Sequence, residues 1–469
     1  MKPLTRKNIN DETTRPIKIL QFGEGNFLRA FVDWIVDVLN EKTNFNGAIE
    51  MVQPIAQGMT EIINKQDGLY HVVLNGIQGG ETISETRLIT SIRSAFNPHE
   101  DFNRFILTAE NPDLQFIVSN TTEAGIEFLP SDLNHSKLAE TYPGKVTQLL
   151  YHRYNFFQGD PSKGLILFPC ELIDKNGEAL KKAVLKYTEL WKFSAMFRQW
   201  VEQHNIFCNT LVDRIVPGFP RDTIKEIQTT IGFEDNLVVT AEPFLLWVIE
   251  APEIVQQKFP VHQTDLQVKF VQDLTPYRTR KVRILNGAHT AMVPVAYLQG
   301  LRTVRESIDN PICGKFIREA IYEEIIPTLD LPKEELEQFA HDVIERFLNP
   351  FIRHELSSIA LNSISKYKVR VLPSVLEYHK RTGKLPQRLL KSLAALILFY
   401  RGTWKGKVLP INDTSEIMNF FSTAWNDKKV EEVVNTTLAN KNFWDVDLTK
   451  IPELKETVLG YLQEYLAEG

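Results

Sequence analysis

The spacing of apolar positions divides the chain into two parts. From Ile17 to about residue 270, short β-rich runs alternate with helical stretches. Ile17–Phe22, Ile49–Val52, Leu114–Ser119 and Leu165–Phe168 read as buried strands bounded by polar or Gly/Pro turns. Between the first two, Phe27, Leu28, Phe31, Val32, Ile35 and Leu39 recur at helical spacing and predict a helix over Asn26–Leu39. Such alternation implies a mostly parallel sheet with helices on its faces. Beyond about residue 280 the strand signals fade. Lys315–Ile326, Lys333–Leu348, Pro386–Tyr400, Ser415–Trp425 and Leu454–Leu466 carry apolar residues every three or four positions, and Pro327, Pro332, Pro350, Pro373 and Pro386 punctuate the connections. The expected fold class is α/β, with an α/β domain over residues 1–275 and a mostly α-helical domain over residues 276–469. There is no internal repeat and no low-complexity linker.

Composition narrows the function classes. With 53 basic and 59 acidic side chains the net charge is −6, which argues against a nucleic-acid partner. The longest apolar run, Leu393–Tyr400, is far short of a membrane span. The polar start, MKPLTRKNINDETTRP, lacks an apolar leader core. Cys170, Cys208 and Cys313 are too few and scattered for a disulfide framework. A cytoplasmic protein, monomer or homodimer, with a small-molecule substrate and no membrane partner is the expectation.

The first chemical signal is Gly23-Glu24-Gly25, directly after the first strand and before the first helix. Such a turn offers backbone N–H groups and a positive helix end to a pyrophosphate. Leu28 stands where the dinucleotide fingerprint has its third glycine, so an ordinary strand-to-helix turn is the alternative. The acid that binds ribose hydroxyls at the end of the second strand is not evident: Glu50 lies inside the strand, and Gln53 holds the strand end. NAD over NADP is left open at this spot.

The second signal is Lys281, Asn286 and His289. On an α-helix, about 100° per residue puts Asn286 about 140° and His289 about 80° around from Lys281. Carbonyl reduction needs one group to give or take the hydroxyl proton and others to stabilise the developing alkoxide. A solvated lysine, a capping asparagine and a core histidine are the alternative. Tyr277 and Lys281 also form Y-x-x-x-K, but too late in the chain to be the short-chain dehydrogenase pair. His204 and Cys208 lack a second pair with zinc spacing, so no metal is expected. Arg278, Arg280, Lys281 and Arg283 form a basic cluster, either a solvated face or an attractor for an anionic substrate.

Taken together, several segments resemble the long-chain, metal-independent mannitol dehydrogenase family. Gly23-Glu24-Gly25-Asn26-Phe27-Leu28-Arg29-Ala30 is similar to its cofactor turn, and Thr122-Glu123-Ala124-Gly125 to its T-E-x-G segment. Asn209–Ile215 and Glu242–Ile249 match two further blocks, and Lys281, Asn286 and His289 sit in its K-x-x-x-x-N-x-x-H signature. The resemblance implies a Rossmann-like NAD-binding domain, followed by a helical substrate-binding and catalytic domain. It implies that Gly23, Gly25, Asn26, Phe27, Arg29, Thr122 and Glu123 bind NAD. It makes Lys281 the general acid/base and Asn286 and His289 the groups that polarise the carbonyl, and it places Asp213, Arg278 and Lys366 at the substrate.

This chain departs from the polyol members of that family in three places. Leu172 replaces an asparagine, Arg278 stands where a glutamate is usual, and Ser358 replaces an arginine eight residues before Lys366. Losing an acid and gaining Arg278 beside the lysine suits a substrate bearing a carboxylate. The expected reaction is therefore NADH-dependent reduction of a ketouronate, D-tagaturonate to D-altronate, with D-fructuronate and then a polyol as alternatives.

Overall fold

Neighbouring residues of the predicted strands fall into different cores. Ile19, Phe116 and Ile166 join one buried cluster, while Leu20, Ile117 and Leu167 join another. A period of two with both faces buried is what a parallel sheet sandwiched by helices requires. The computed structural model, which describes residues 1–121, 125–427 and 429–469, shows that sheet directly. Its strands are β1 (Ile17–Phe22), β2 (Ala48–Val52), β5 (Ile92–Phe96), β6 (Phe116–Ser119), β7 (Ile166–Pro169) and β8 (Ile206–Phe207), with β3 (Tyr70–Gln78) and β4 (Glu81–Ile89) lying between in sequence. They run parallel in the order β5-β2-β1-β6-β7-β8. Counted along this sheet alone, that is the 3-2-1-4-5-6 order of dinucleotide-binding folds, in which the order reverses between β1 and β6. A second sheet pairs β9 (Asn209–Asp213) antiparallel with β10 (Leu246–Glu250). That strand in turn runs parallel to β11 (Val268–Val271).

The chain groups into two compact units, Met1–Asn75 with Thr82–Leu274, and Gly76–Glu81 with Thr275–Gly469. In the first, an aromatic cluster fills one side of the sheet. Phe116 stacks on Phe168 with centroids 5.6 Å apart, and Phe259 lies edge-on to Phe116 at 5.6 Å. The helix expected over Asn26–Leu39 is broken into α1 (Asn26–Arg29) and α2 (Val32–Lys42). The carbonyl of Arg29 accepts the Tyr70 hydroxyl at 2.9 Å and that of Ala30 accepts Arg214 Nη1 at 2.8 Å. Side-chain donors thus engage these two carbonyls at the break, and the regular ladder resumes when Ile35 N–H donates to Phe31 O.

In the second unit the helix α3 (Gly287–Leu298) is buried at every position. It packs against α6 (Gln387–Phe399), where Ser392 Oγ donates to Ala291 O at 2.8 Å. Two further helices, α4 (Lys333–Phe347) and α5 (Ser363–Arg370), precede α6 in sequence. The stretch expected as one helix over Lys315–Ile326 begins earlier, at Pro311, because Asn310 caps the Ile312 and Cys313 N–H groups. It then widens into a π turn over Ala320–Ile325. Glu324 in that turn accepts the N–H groups of Arg388 and Leu389 at 2.9 Å and so caps α6. Among the described residues, no helix is long and apolar enough to cross a membrane.

Phe116 has no polar role and fills the centre of its cluster, so Phe116→Ala is expected to cost about 3–5 kcal/mol. A urea titration reads this as a lower midpoint at unchanged slope, and an unchanged midpoint would contradict the packing described.

Candidate active site

The glycine turn lies at the carboxyl end of β1, where the sheet order reverses. Gly23 has φ +121°, open to glycine alone, and a Cβ there would sit 3.2 Å from Asn120 O at the end of β6. Its N–H donates to Val52 O at 3.1 Å, which ties the turn to β2. A Cβ on Gly25 would meet nothing within 4 Å. Open space therefore lies before the first turn of α1, whose N–H groups have no partner within the helix. A pyrophosphate fits this cradle, since backbone approaches it without a side chain intervening.

Beneath the turn lie buried guanidinium groups. Arg29, 1% exposed, donates to the carbonyls of Glu24 and Leu237 and to Asn26 Oδ1, and its guanidinium covers the Tyr70 ring at 5.2 Å. Arg29 thereby shapes the turn from below and orients Asn26. Phe27 stacks on Phe31 with centroids 5.0 Å apart. Arg214 bridges Ala30 O and Glu242 O, and the Glu242 carboxylate accepts the N–H of Ile215. The two sequence blocks around Asp213 and Glu242 therefore meet on the backbone of this turn. Asp213 itself is buried at the end of β9. Thr122 and Glu123 lie outside the described residues.

Sequence reasoning overlooked Glu171. At the end of β7 its buried carboxylate accepts Ser119 Oγ at 3.1 Å, Thr121 N–H at 3.0 Å and Thr121 Oγ1 at 2.9 Å. It thus joins the ends of two central strands, and burial raises its carboxyl above the ordinary range. Asn176, at the start of the helix that follows β7, bonds Pro169 O and Thr210 and fixes the ends of β7 and β9. Leu172 is exposed.

In the second unit, Lys281–Asn286 forms a π turn that runs into α3. The α-helical arithmetic therefore needs correction. A π turn bonds i to i+5 and holds more residues per turn, so each residue rotates less than 100°. The offsets of Asn286 and His289 from Lys281 both shrink, which brings the three nearer to one face. The His289 ring stacks on Phe347 at 4.2 Å and meets His354 edge-on at 5.1 Å. Burial lowers the His354 pKa, favouring its neutral form.

Helix α5 packs against the π turn, and a Cβ on Gly287 would come within 3.0 Å of Arg370 O. This close approach adds basic groups to the segment. Arg283 donates to Val369 O, and Lys366 Nζ donates to Ile359 O at 2.8 Å. Burial depresses the pKa of Arg278, Arg283, Arg370 and Lys366, and Arg370 depresses Lys366 further. Arg370 was missed, although its place four residues after Lys366 on one helix was the available signal. Lys368 faces elsewhere, paired with Asp445 at 2.7 Å. Ser358 is exposed and donates to Glu355 O. Among the described residues, His341, Asp342 and Glu345 offer three donor atoms within 4.8 Å of one another. Glu345 already accepts the N–H groups of Gly79 and Gly80.

Residues 17–263 match the mannitol dehydrogenase Rossmann domain and residues 273–466 the mannitol dehydrogenase C-terminal domain. The chain belongs to the mannitol dehydrogenase family. Within it, the chain is 47% identical over 471 residues to the altronate oxidoreductase of Phocaeicola vulgatus, covering 100% of this chain and 98% of that protein. It is 47% identical over 459 residues to the altronate oxidoreductase of Bacillus subtilis (strain 168), covering 97% and 94%. Two solved structures share the fold of this mannitol dehydrogenase family member. Pseudomonas fluorescens mannitol 2-dehydrogenase, in ternary complex with NAD and D-mannitol, aligns with TM-score 0.71 at 22% identity over 100% of this chain and 98% of that one. A substrate-free D-sorbitol dehydrogenase aligns with TM-score 0.83 at 23% identity over 99% of both chains.

Asp33 gives the turn a pH signature. It is wholly buried beside Arg29, lies 2.9 Å from the Tyr70 hydroxyl through its Oδ2, and is pushed up to about 7, chiefly by burial. Between the unfolded value of about 4 and that folded value, the native state keeps a proton that the unfolded chain releases. Stability at this site therefore falls as pH rises through that window and levels off above it. Asp33→Asn lacks the slope. Urea midpoints of the two proteins should diverge progressively in favour of the variant between about pH 4 and about pH 7; parallel curves would contradict the assignment.

Proposed function

We propose that this chain interconverts D-tagaturonate and D-altronate with NAD(H), in the breakdown of hexuronates. The observation that carries this reading is full-length identity of 47% to altronate oxidoreductases. Arg278, Arg283, Arg370 and Lys366 in the second unit support it, since a substrate carboxylate would offset the cost of holding these partly buried cations away from water. In this account residues 1–275 bind the dinucleotide and residues 276–469 carry substrate and proton transfer. A cytoplasmic site of action, as monomer or homodimer, accords with three free, buried cysteines.

Gly23, Gly25 and Asn26 would hold the pyrophosphate, with Phe27 and Arg29 fixing the turn, and Thr122 and Glu123 would complete the cofactor site. Bound nicotinamide supplies or accepts the hydride. Lys281 gives a proton to the carbonyl oxygen during reduction and removes it from the hydroxyl during oxidation. Asn286 and His289 donate hydrogen bonds to that oxygen as negative charge develops on it. This division of labour is supported by the π turn, whose smaller rotation per residue reduces the angular offsets among the three. Arg278 binds the substrate carboxylate, supported by Lys366 on α5. No metal ion enters this scheme.

Two variants test it. Lys281→Ala should lower kcat by about 10²–10⁴-fold while NADH still binds with its fluorescence change. Arg278→Ala should raise KM for the ketouronate far more than for a neutral ketose. Unchanged turnover in the first, or equal effects on both substrates in the second, would remove the corresponding role.

A further inference from the structure

The second strand of a dinucleotide fold ordinarily ends in an acid that binds the ribose hydroxyls and repels a 2′-phosphate. Here β2 ends at Val52 and is followed by Gln53, and the Gln53 amide is engaged elsewhere. Its Nε2 donates to Ile55 O at 2.9 Å and to Ala56 O at 3.1 Å, using both amide hydrogens. What remains of Gln53 is a carbonyl oxygen, shared with the Thr60 hydroxyl at 3.2 Å. Residues 53–60 contain no lysine or arginine that would hold a phosphate.

A carboxylate reaches this place from a different element. Glu24, between the two glycines of the turn, points toward the segment after β2. A Cβ built on Gly58 would lie 2.1 Å from Glu24 Oε1 and 2.4 Å from Gln53 Oε1, so both oxygens converge on one point at that glycine. Only glycine leaves room for them. Burial raises the Glu24 carboxyl above its ordinary range, opposed by hydrogen bonds from its own N–H and that of Met59 and by the Arg29 charge. At 8% exposure the side chain is held in place rather than swinging in solvent.

We propose that Glu24 is the residue that selects NAD(H) over NADP(H), supplying from the glycine turn the acid that β2 lacks. The proposal rests on the reading of this turn as the cofactor site. Its chemistry is simple: a carboxylate and an amide carbonyl, both acceptors, suit the two ribose hydroxyls as donors and repel a phosphate dianion. The usual strand-end position can then hold Gln53, whose work is to fold the following segment.

The test uses the full chain and the variants Glu24→Gln, Glu24→Ser and Glu24→Asp. Kd for NADH and NADPH is measured by nucleotide fluorescence, alongside kcat/KM for each with the ketouronate. The wild-type protein should prefer NADH. Glu24→Gln should shift the NADPH-to-NADH affinity ratio by at least about tenfold toward NADPH, the scale expected when a like-charge contact is removed. Glu24→Ser removes the charge without needing the space of an amide and should shift it the same way, while Glu24→Asp should retain the preference. An NADH-preferring wild type whose ratio is unmoved in both uncharged variants overturns the role of Glu24. A wild type that prefers NADPH, or binds neither nucleotide, overturns the cofactor reading beneath it.

Discussion

A buried cation under a glycine turn is the constraint on which the first unit is built. The Arg29 guanidinium has left water almost completely, and a charge in that position must be matched by hydrogen-bond acceptors at every side. The acceptors are backbone carbonyls at Glu24 and Leu237 together with Asn26 Oδ1. Meeting that demand fixes the path of the turn. Arg214 repeats the device from β9, drawing in Ala30 O and Glu242 O. The cost is visible in the surrounding groups, with burial lowering the pKa of both arginines and raising that of Asp33. Segments far apart in sequence are thereby held to one short stretch of backbone, whose form decides what can bind in front of Gly25.

The second unit solves a different problem. In the proposed scheme a lysine that exchanges protons with a substrate needs partners of fixed orientation, and a buried helix is suited to supply them. Helix α3 is covered on all sides, so its first turn cannot drift, and the π turn ahead of it sets the relative directions of Lys281, Asn286 and His289. The Phe347 ring holds His289 from one side. Packing of α5 at Gly287 brings the Lys366 and Arg370 segment to this turn, which concentrates positive charge where the scheme needs an anionic substrate.

Much of this was legible in the sequence because both faces of the parallel strands are buried. Ile17–Phe22 is apolar enough to be read directly, and the glycines after it mark the turn. What escaped notice depends on contacts made by residues distant in sequence. The break after Arg29 follows from Tyr70 and Arg214 donating to two carbonyls, which no local pattern announces. The π turn is invisible to a reading at 100° per residue, although Lys281, Asn286 and His289 themselves were found by their spacing. Glu171 was passed over for Leu172 because its acceptor role arises only when β6 and β7 lie side by side. Glu24 was read only as the residue between two glycines, and its position relative to Gln53 emerges from the fold of residues 53–60.

The most direct measurement is NADH oxidation, followed by absorbance, with D-tagaturonate, D-fructuronate and D-fructose offered separately to the purified protein. The account predicts strong preference for D-tagaturonate, slower turnover of D-fructuronate and little of D-fructose. Preference for D-fructuronate would keep the chemistry and overturn the assigned stereochemistry. Turnover of D-fructose alone would contradict the carboxylate-binding role of the cation cluster and return the protein to the polyol dehydrogenases.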